Sequence, residues 1–197
     1  MQLRSFLFAL CTGCFDLSMT LLHTMNMTNQ KIYQNAPAYC HDYFNLVETD
    51  DLLNELVKSY QLTQELFQLI TPENENHSYQ PGKWTIKEVL RHIIDCERVY
   101  TYRSFRFSRF DDTVLAGFDE NTYIDVLKGQ EQNLSDLKDE YEQVRRSTIA
   151  LFKTMTTEML DFKGTANNVG FTARALGFMT VGHNVHHINF IKTNYLF

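Results

Sequence analysis

The stretch from Asn133 to Met155 reads NLSDLKDEYEQVRRSTIALFKTM and carries the clearest periodic pattern in the chain. Its core-type residues recur at alternating spacings of three and four: Leu134, Leu137, Tyr141, Val144, Thr148, Leu151 and Met155. This spacing places all of them on one face of an α-helix. A stripe of this period is typical of a helix that packs in a left-handed bundle. The stretch therefore predicts one long helix of a helical bundle.

A second segment with helical periodicity follows Thr49 and ends before Pro72, where a helix is expected to stop. Its apolar residues are Leu52, Leu53, Leu56, Val57, Tyr60, Leu66, Phe67 and Ile70. Either Thr49 or Asp50 is suited to cap its N-terminus. This segment is the first of four predicted helices, and the stretch quoted above is the third.

The second and fourth predicted helices have clear start signals. TIKE, Thr85 to Glu88, matches a capping box, and the helix after it is expected to run to about Phe110. Thr172 is the expected N-cap of the last helix, which continues almost to the C-terminus. No β-type alternation stands out between these segments. The sequence therefore predicts an all-α fold, a four-helix bundle.

The composition narrows the class of protein. With 197 residues, 44% hydrophobic and 21% charged, the chain is typical of one soluble globular domain. A formal net charge of -6 argues against a nucleic-acid partner, because binding to phosphates requires a basic face. No run of about 20 apolar residues predicts a membrane span. We therefore expect neither nucleic acid nor membrane as a partner.

Residues 1–27 have a different character from the rest. They begin MQLRSFLFALCTGCF, a weak signal-like pattern without a small-residue cleavage site. We interpret residues 1–27 as a leader or non-native extension before a start at Met25 or Met27, and residues 28–197 as the domain. This interpretation predicts a cytoplasmic protein, and export is the alternative. Cys11 and Cys14 lack a second pair of ligands for a zinc site, and the four cysteines do not suggest a disulfide framework.

The segment GHNVHHINF, Gly182 to Phe190, places three histidines within five residues of the last predicted helix. His183 shares a helix face with His187 at i+4 and with His186 at i+3, and spacing alone does not choose between them. Each could also be a hydrogen-bonded core residue. Asn184 stands where a zinc protease of the H-E-x-x-H type needs a glutamate, so that class is not supported.

A third imidazole is available from the second predicted helix. His92 shares a face with Val89 and Cys96, so it is expected to point inward. Cys96 is expected to be a small buried residue rather than a nucleophile. The remaining histidines, His23, His41 and His77, are expected to be solvent-exposed.

Three segments together resemble the DinB/YfiT-like family of metal-dependent enzymes. They are KWTIKEVLRHIIDCERVYTYRSFRFSR (83–109), AGFDENTY (116–123) and RALGFMTVGHNVHHINFIKTNYL (174–196). The resemblance covers roughly residues 30–197 and implies a four-helix bundle of up-down-down-up topology. It implies His92, His183 and His187 as ligands of a divalent metal, Zn or Ni. His186 would then pack against these ligands or hydrogen-bond to them.

The resemblance also implies chemistry on a small-molecule substrate, and it leaves a homodimer open. Some relatives are thiol-dependent transferases that use bacillithiol, mycothiol or glutathione, and others are hydrolases. We expect a thiol-dependent S-transferase, with a metal-dependent hydrolase as the alternative. A stress-response module that binds metal or a partner without catalysis is a third possibility.

Charged residues near the end of the second predicted helix offer substrate-binding candidates. Arg103, Arg106 and Arg109 recur every three residues, and they form either a solvated face or a clamp for the carboxylates of a thiol. Arg103 and Arg106 are the candidates for this clamp. Asp119 and Glu120 lie in the long connection that follows, but the sequence identifies no catalytic base.

Overall fold

The computed structural model describes residues 32–130 and 132–196. Residues 1–27, interpreted above as a leader, lie outside the described residues. The same holds for Cys11, Cys14 and His23, which belong to that segment. Within the described residues, a 3₁₀ turn, Ala38–Cys40, leads into the short helix α1, His41–Phe44.

Four long helices form the body of the protein. They are α2 (Leu52–Leu69), α3 (Ile86–Ser108), α5 (Leu134–Phe152) and α7 (Ala173–Asn194). Two short helices, α4 (Glu120–Leu127) and α6 (Thr157–Asp161), lie in the connections. The prediction of a four-helix bundle is confirmed. None of the described helices is both long enough and apolar enough to cross a lipid bilayer.

The ends of the helices follow the capping chemistry of the sequence. The Thr85 hydroxyl accepts a hydrogen bond from the Glu88 amide and the Glu88 carboxylate accepts one from the Thr85 amide, which completes the predicted capping box. The Thr172 hydroxyl caps α7 by accepting from Ala175. Asp51, rather than Thr49 or Asp50, caps α2. Helix α5 ends at Phe152, three residues before the predicted Met155.

The four long helices are arranged as a ring. Helix α7 packs against α2 and α3, and α5 packs against the same two helices from the other side. Helices that follow each other in the chain, α2 and α3, lie across the diagonal of this ring. This arrangement brings α3 and α7, which carry the candidate ligands, side by side.

A small β-hairpin corrects the prediction of a purely helical chain. Strand β1, Lys163–Ala166, pairs antiparallel with β2, Val169–Thr172. The turn between them is formed by Asn167 and Asn168, both with positive φ (52° and 62°). Asparagine adopts this left-handed conformation more readily than most residues, which suits a tight hairpin turn. The strands read KGTA and VGFT, and with a glycine in each, the apolar alternation that predicts a strand is weak.

The long connection between α3 and α5 is held against this hairpin. The Leu115 amide donates to the carbonyl of Thr165 (2.9 Å), and the Asn167 amide donates to the carbonyl of Leu115 (3.0 Å). Helix α4 begins directly afterwards, with Asp119 as its N-cap. The connection therefore has structure of its own, and it brings Phe118 and Glu120 to the rim of a cavity.

Candidate metal centre

Three histidines from two helices converge at one point. His92 lies in the second turn of α3, and His183 and His187 lie one turn apart on α7. Their Nε2 atoms are separated by 3.0 Å (His92–His183), 3.2 Å (His92–His187) and 3.1 Å (His183–His187). Nitrogens bound to one zinc ion at about 2.0–2.1 Å, with angles of roughly 90–109° between them, lie about 2.9–3.4 Å apart. The cluster therefore has the dimensions of a facial set of three metal ligands.

Hydrogen bonding alone does not satisfy this cluster. The nitrogen of a neutral imidazole is either a donor or an acceptor. Among three mutually adjacent Nε2 atoms, at least two must have the same role, so at least one pair is repulsive. A cation that accepts all three lone pairs removes this conflict. The donor set therefore fits a divalent metal, and imidazole ligands suit Zn or Ni among others.

The surroundings keep the three rings in the form that binds metal. Burial lowers the pKa of His92 to about 4 and that of His187 to about 3, with nearby histidines adding to the effect. Burial also lowers the pKa of His183 well below its usual value. Because an imidazole binds metal only when neutral, protons do not compete for these nitrogens near neutral pH.

His186 is adjacent to the cluster but outside it. Its side chain is exposed, and its ring lies edge-on to the rings of Tyr43 and His187, with centroids 5.5 and 5.0 Å away. Only His92, His183 and His187 form a group of possible ligands in the part of the chain that the structure describes.

Asn184 fixes the rotation of α7 about its axis. Its side-chain amide donates to the carbonyl of Ser59 (3.1 Å) and to the hydroxyls of Thr63 (2.9 Å) and Tyr141 (3.3 Å). These partners lie on α2 and α5. Because the neighbouring residue His183 points about 100° away around the helix, the same rotation turns its ring towards α3.

The cluster forms part of the wall of a cavity of about 430 Å³. One stripe of α3 lines it, at spacings of four, four and three residues: His92, Cys96, Tyr100 and Arg103. From α7 come Leu176 and Met179 beside the two histidines. A cavity of this size suits a small molecule rather than a macromolecule.

The chain's family follows from a comparison with known proteins. A family model described as the DinB superfamily matches residues 55–191. This chain belongs to the DinB superfamily. The resemblance noted in the sequence is therefore confirmed. Comparison with curated proteins gives no match.

A solved structure supports the fold of this DinB-superfamily chain. It is YfiT from Bacillus subtilis, described as a probable metal-dependent hydrolase with an unusual four-helix bundle topology. The TM-score is 0.65 with 19% identity, over 73% of this chain and 83% of YfiT. At this level of identity the similarity establishes a shared fold, and the activity must be argued from the site.

The structure separates the arginines that the sequence grouped together. Arg103 is buried and lines the cavity. Arg106 lies outside the cavity lining and is bound to Asp111 and to the Tyr102 hydroxyl. Arg109 stacks over Phe105 at the surface. A clamp made by Arg103 and Arg106 together is therefore not assembled at the cavity.

The two acids of the long connection also have different positions. Glu120 is half-buried and lines the cavity. Asp119 is exposed and accepts hydrogen bonds from Asn121 and Thr122 at the start of α4. Only Glu120 is therefore placed to act on a molecule in the cavity.

Cys96 is 2% exposed, and burial raises the pKa of its thiol to about 12. It is therefore a neutral thiol at physiological pH, as expected from the sequence.

The two described histidines away from α3 and α7 differ in exposure. His77 is exposed, as predicted. His41 is instead half-buried, with its Nε2 3.2 Å from the carbonyl oxygen of Tyr33.

Several residues of the cavity wall are not among the candidates predicted from the sequence: Tyr39, Tyr43, Trp84 and Asn167. Two come from the segment before α2, one from the loop before α3 and one from the hairpin turn. The Trp84 ring lies 5.0 Å from that of His92. The only available signal was for Trp84, an unusual residue directly before a capping box.

Proposed function

We propose that this protein is a metal-dependent hydrolase of small molecules, with His92, His183 and His187 holding a divalent metal. The observation that carries the proposal is the convergence of three neutral imidazole nitrogens, 3.0–3.2 Å apart, on the wall of a cavity. Three protein ligands leave coordination positions for water or substrate, as in catalytic rather than structural zinc sites.

The chain's own groups have distinct roles in such a reaction. A bound metal would supply Lewis-acid polarisation of the substrate and lower the pKa of a coordinated water. The imidazoles hold their Nε2 lone pairs free, because burial keeps them unprotonated. Glu120 is the carboxylate among the described residues of the cavity wall. We assign it the role of general base, which accepts a proton from the attacking water.

Two considerations favour hydrolysis over the thiol transfer expected from the sequence. The expectation of a thiol rested on the family resemblance together with a row of arginines, and of that row only Arg103 lines the cavity. The structurally similar YfiT is described as a probable metal-dependent hydrolase. A thiol-dependent transferase is the second candidate, because Arg103 could bind a carboxylate of a low-molecular-weight thiol.

The test begins with elemental analysis of the purified protein. Chelated protein, reloaded separately with Zn, Ni or Co, is then assayed on a panel of esters, amides and lactones. A second panel contains bacillithiol, glutathione or mycothiol with a chloro-dinitroarene. Metal-dependent cleavage in the first panel supports the hydrolase. Metal-dependent conjugation in the second panel alone supports the transferase.

Glu120→Gln serves as the mechanistic variant in the same assays. It removes the proposed proton acceptor but no metal ligand, so it should keep its metal and lose about 10²–10⁴-fold in turnover. Exposed Asp119→Asn is the matched control from the same connection. Full activity in Glu120→Gln would exclude Glu120 as the base. No turnover in either panel with the metal fully bound would favour the non-enzymatic module.

A further inference from the structure

Arg103 is a buried cation on the wall of the cavity. The residue is 6% exposed, and one nitrogen of its guanidinium donates a hydrogen bond to the carbonyl oxygen of Ala116 (2.9 Å). Its guanidinium also lies 5.3 Å from the centre of the Phe118 ring. No carboxylate among residues 32–130 and 132–196 forms an ion pair with it. Such a group is costly to bury unless something compensates its charge.

Arg145, the second buried arginine among the described residues, has a fully compensated charge. Arg145 is completely buried, and two of its nitrogens each donate to one oxygen of Glu97 at 2.8 Å. A third nitrogen donates to the carbonyl of Leu56 (3.0 Å). Arg145 is therefore a structural cation. Arg103 has only one hydrogen bond of this kind, and its guanidinium borders the cavity instead of a carboxylate.

The position of Arg103 relates it to the candidate metal centre. It lies eleven residues after His92 on the same lining stripe of α3, so their Cα atoms are about 16 Å apart along the helix. Both residues line the same cavity. A molecule that touches both groups is therefore elongated, with several bonds between its two ends.

The charged residues of the cavity wall indicate which type of anionic group a bound molecule carries. Arg103 is the only lysine or arginine among the described lining residues, and Glu120 is the only carboxylate. A guanidinium edge matches a planar carboxylate through two parallel hydrogen bonds. The guanidinium carries one positive charge, which matches the single charge of a carboxylate better than the two charges of a phosphate monoester. A monovalent carboxylate fits this balance.

We propose that Arg103 binds a carboxylate group of the substrate, so that the substrate is an elongated carboxylate whose reacting bond lies at His92, His183 and His187. The second half of this statement rests on the proposed function, whereas binding of the carboxylate by Arg103 does not. Arg103 also holds the loop at Ala116, so a test must separate these two roles. Arg103→Gln keeps a donor for that carbonyl and removes the charge.

The first experiment uses metal-free protein and the fluorescence of Trp84, which is the single tryptophan of the chain and lines the cavity. The probes are hexanoate, hexanamide and hexyl phosphate. Wild type should bind hexanoate at least tenfold more tightly than hexanamide, and Arg103→Gln should abolish this preference. Arg109→Gln, which changes a surface arginine of the same helix, should retain it.

Three outcomes of this experiment would overturn the proposal. They are equal or absent binding of hexanoate and hexanamide in wild type, a preference that survives in Arg103→Gln, and tighter binding of hexyl phosphate than of hexanoate. Melting temperatures of the variants show whether the fold is intact. If Arg103→Gln does not fold, Arg103→Lys replaces it, since lysine keeps the charge but lacks the fork and should reduce the preference.

The second experiment links the carboxylate to the metal centre. Zinc-loaded protein is titrated calorimetrically with suberic acid monohydroxamate and with its ω-amide, since the hydroxamate group binds metals. At least tenfold tighter binding of the carboxylate, lost in Arg103→Gln, supports a substrate that spans both groups. Equal binding of the two probes overturns the span while leaving the metal centre in place. If the ω-amide does not bind and the carboxylate probe binds no more tightly than hexanoate does, the proposed metal function fails and the carboxylate site stands.

Discussion

Three histidines within five residues of α7 have different surroundings because the helix is held in one rotation. Gly182 packs so closely that a Cβ atom there would lie 2.1 Å from the carbonyl oxygen of Tyr43. Asn184 is bonded to α2 and α5 on another side. These two contacts turn His183 and His187 towards α3 and leave His186 at the surface. A choice that spacing alone left open is thus made by the two residues that flank His183.

Removing one candidate ligand should empty the metal site. We expect His92→Ala, His183→Ala and His187→Ala each to lose most of the bound metal, because two imidazoles alone bind weakly. His186→Ala should weaken binding by no more than about 10–100-fold, as is typical of residues next to ligands. Elemental analysis after dialysis measures the metal content. A site that empties in His186→Ala but stays full in His187→Ala would contradict this set of ligands.

The buried imidazoles should also make the metal-free protein sensitive to acid. The pKa values of His92 and His187, about 4 and about 3 when folded, lie below the 6.5 of an ordinary histidine. Between these values the unfolded chain binds more protons than the folded chain. The free energy of unfolding should therefore fall as the pH decreases from about 6.5 towards 4, at up to roughly 1.4 kcal/mol per pH unit and per group.

Urea unfolding in the presence of a chelator measures this dependence. Replacing all three histidines with glutamine should flatten the curve in this window. An equally steep loss of stability in the triple variant would show that other groups cause the acid sensitivity.

At the scale of helices, the interior of the bundle combines an apolar core with a polar layer. Ser59 and Thr63 are buried on α2 and bond to Asn184 and Tyr141, and Arg145 is buried on α5. In the sequence, these positions are gaps in the apolar pattern.

The four helices could be predicted from the sequence because their apolar period and their caps are local signals. The polar layer could not be predicted in this way, because its hydrogen bonds join residues of three helices that are distant in the sequence.

The pair formed by Glu97 and Arg145 should be one of the most sensitive positions of the bundle. Arg145→Met should lower the free energy of unfolding by about 3–5 kcal/mol, because it leaves the Glu97 carboxylate buried without its cation. The double variant Glu97→Gln/Arg145→Met should be less destabilised than Arg145→Met alone. Denaturant unfolding monitored by circular dichroism measures all three proteins.

The neighbouring arginine provides the control for this prediction. Arg146 is 73% exposed in its side chain and pairs with Glu142 one turn away. Arg146→Met should therefore change the free energy of unfolding by less than about 1 kcal/mol. Similar losses in Arg145→Met and Arg146→Met would mean that the buried pair contributes no more than a surface pair.

At the scale of the whole molecule, the cavity is assembled from segments distant in the chain. Tyr39 precedes the bundle, Trp84 lies in a loop, and Asn167 lies in the hairpin turn. No local pattern connects these residues, so the sequence did not indicate that they line one cavity. His92 and His183 are themselves 91 positions apart, and only the packing of α3 against α7 joins them.

A metal at this junction should stabilise the entire fold, because it would join α3 to α7 and bind only the folded chain. At a free metal concentration 100 times the dissociation constant, the gain is about 2.7 kcal/mol. For a chain of this size, this corresponds to a rise in melting temperature of roughly 5–11 °C. Differential scanning calorimetry of chelated protein, titrated with Zn and with Ni, measures the rise. His183→Ala should show little or none of it, and Asp119→Asn should show all of it. A wild-type melting temperature that does not respond to either metal would contradict a site formed by the folded bundle.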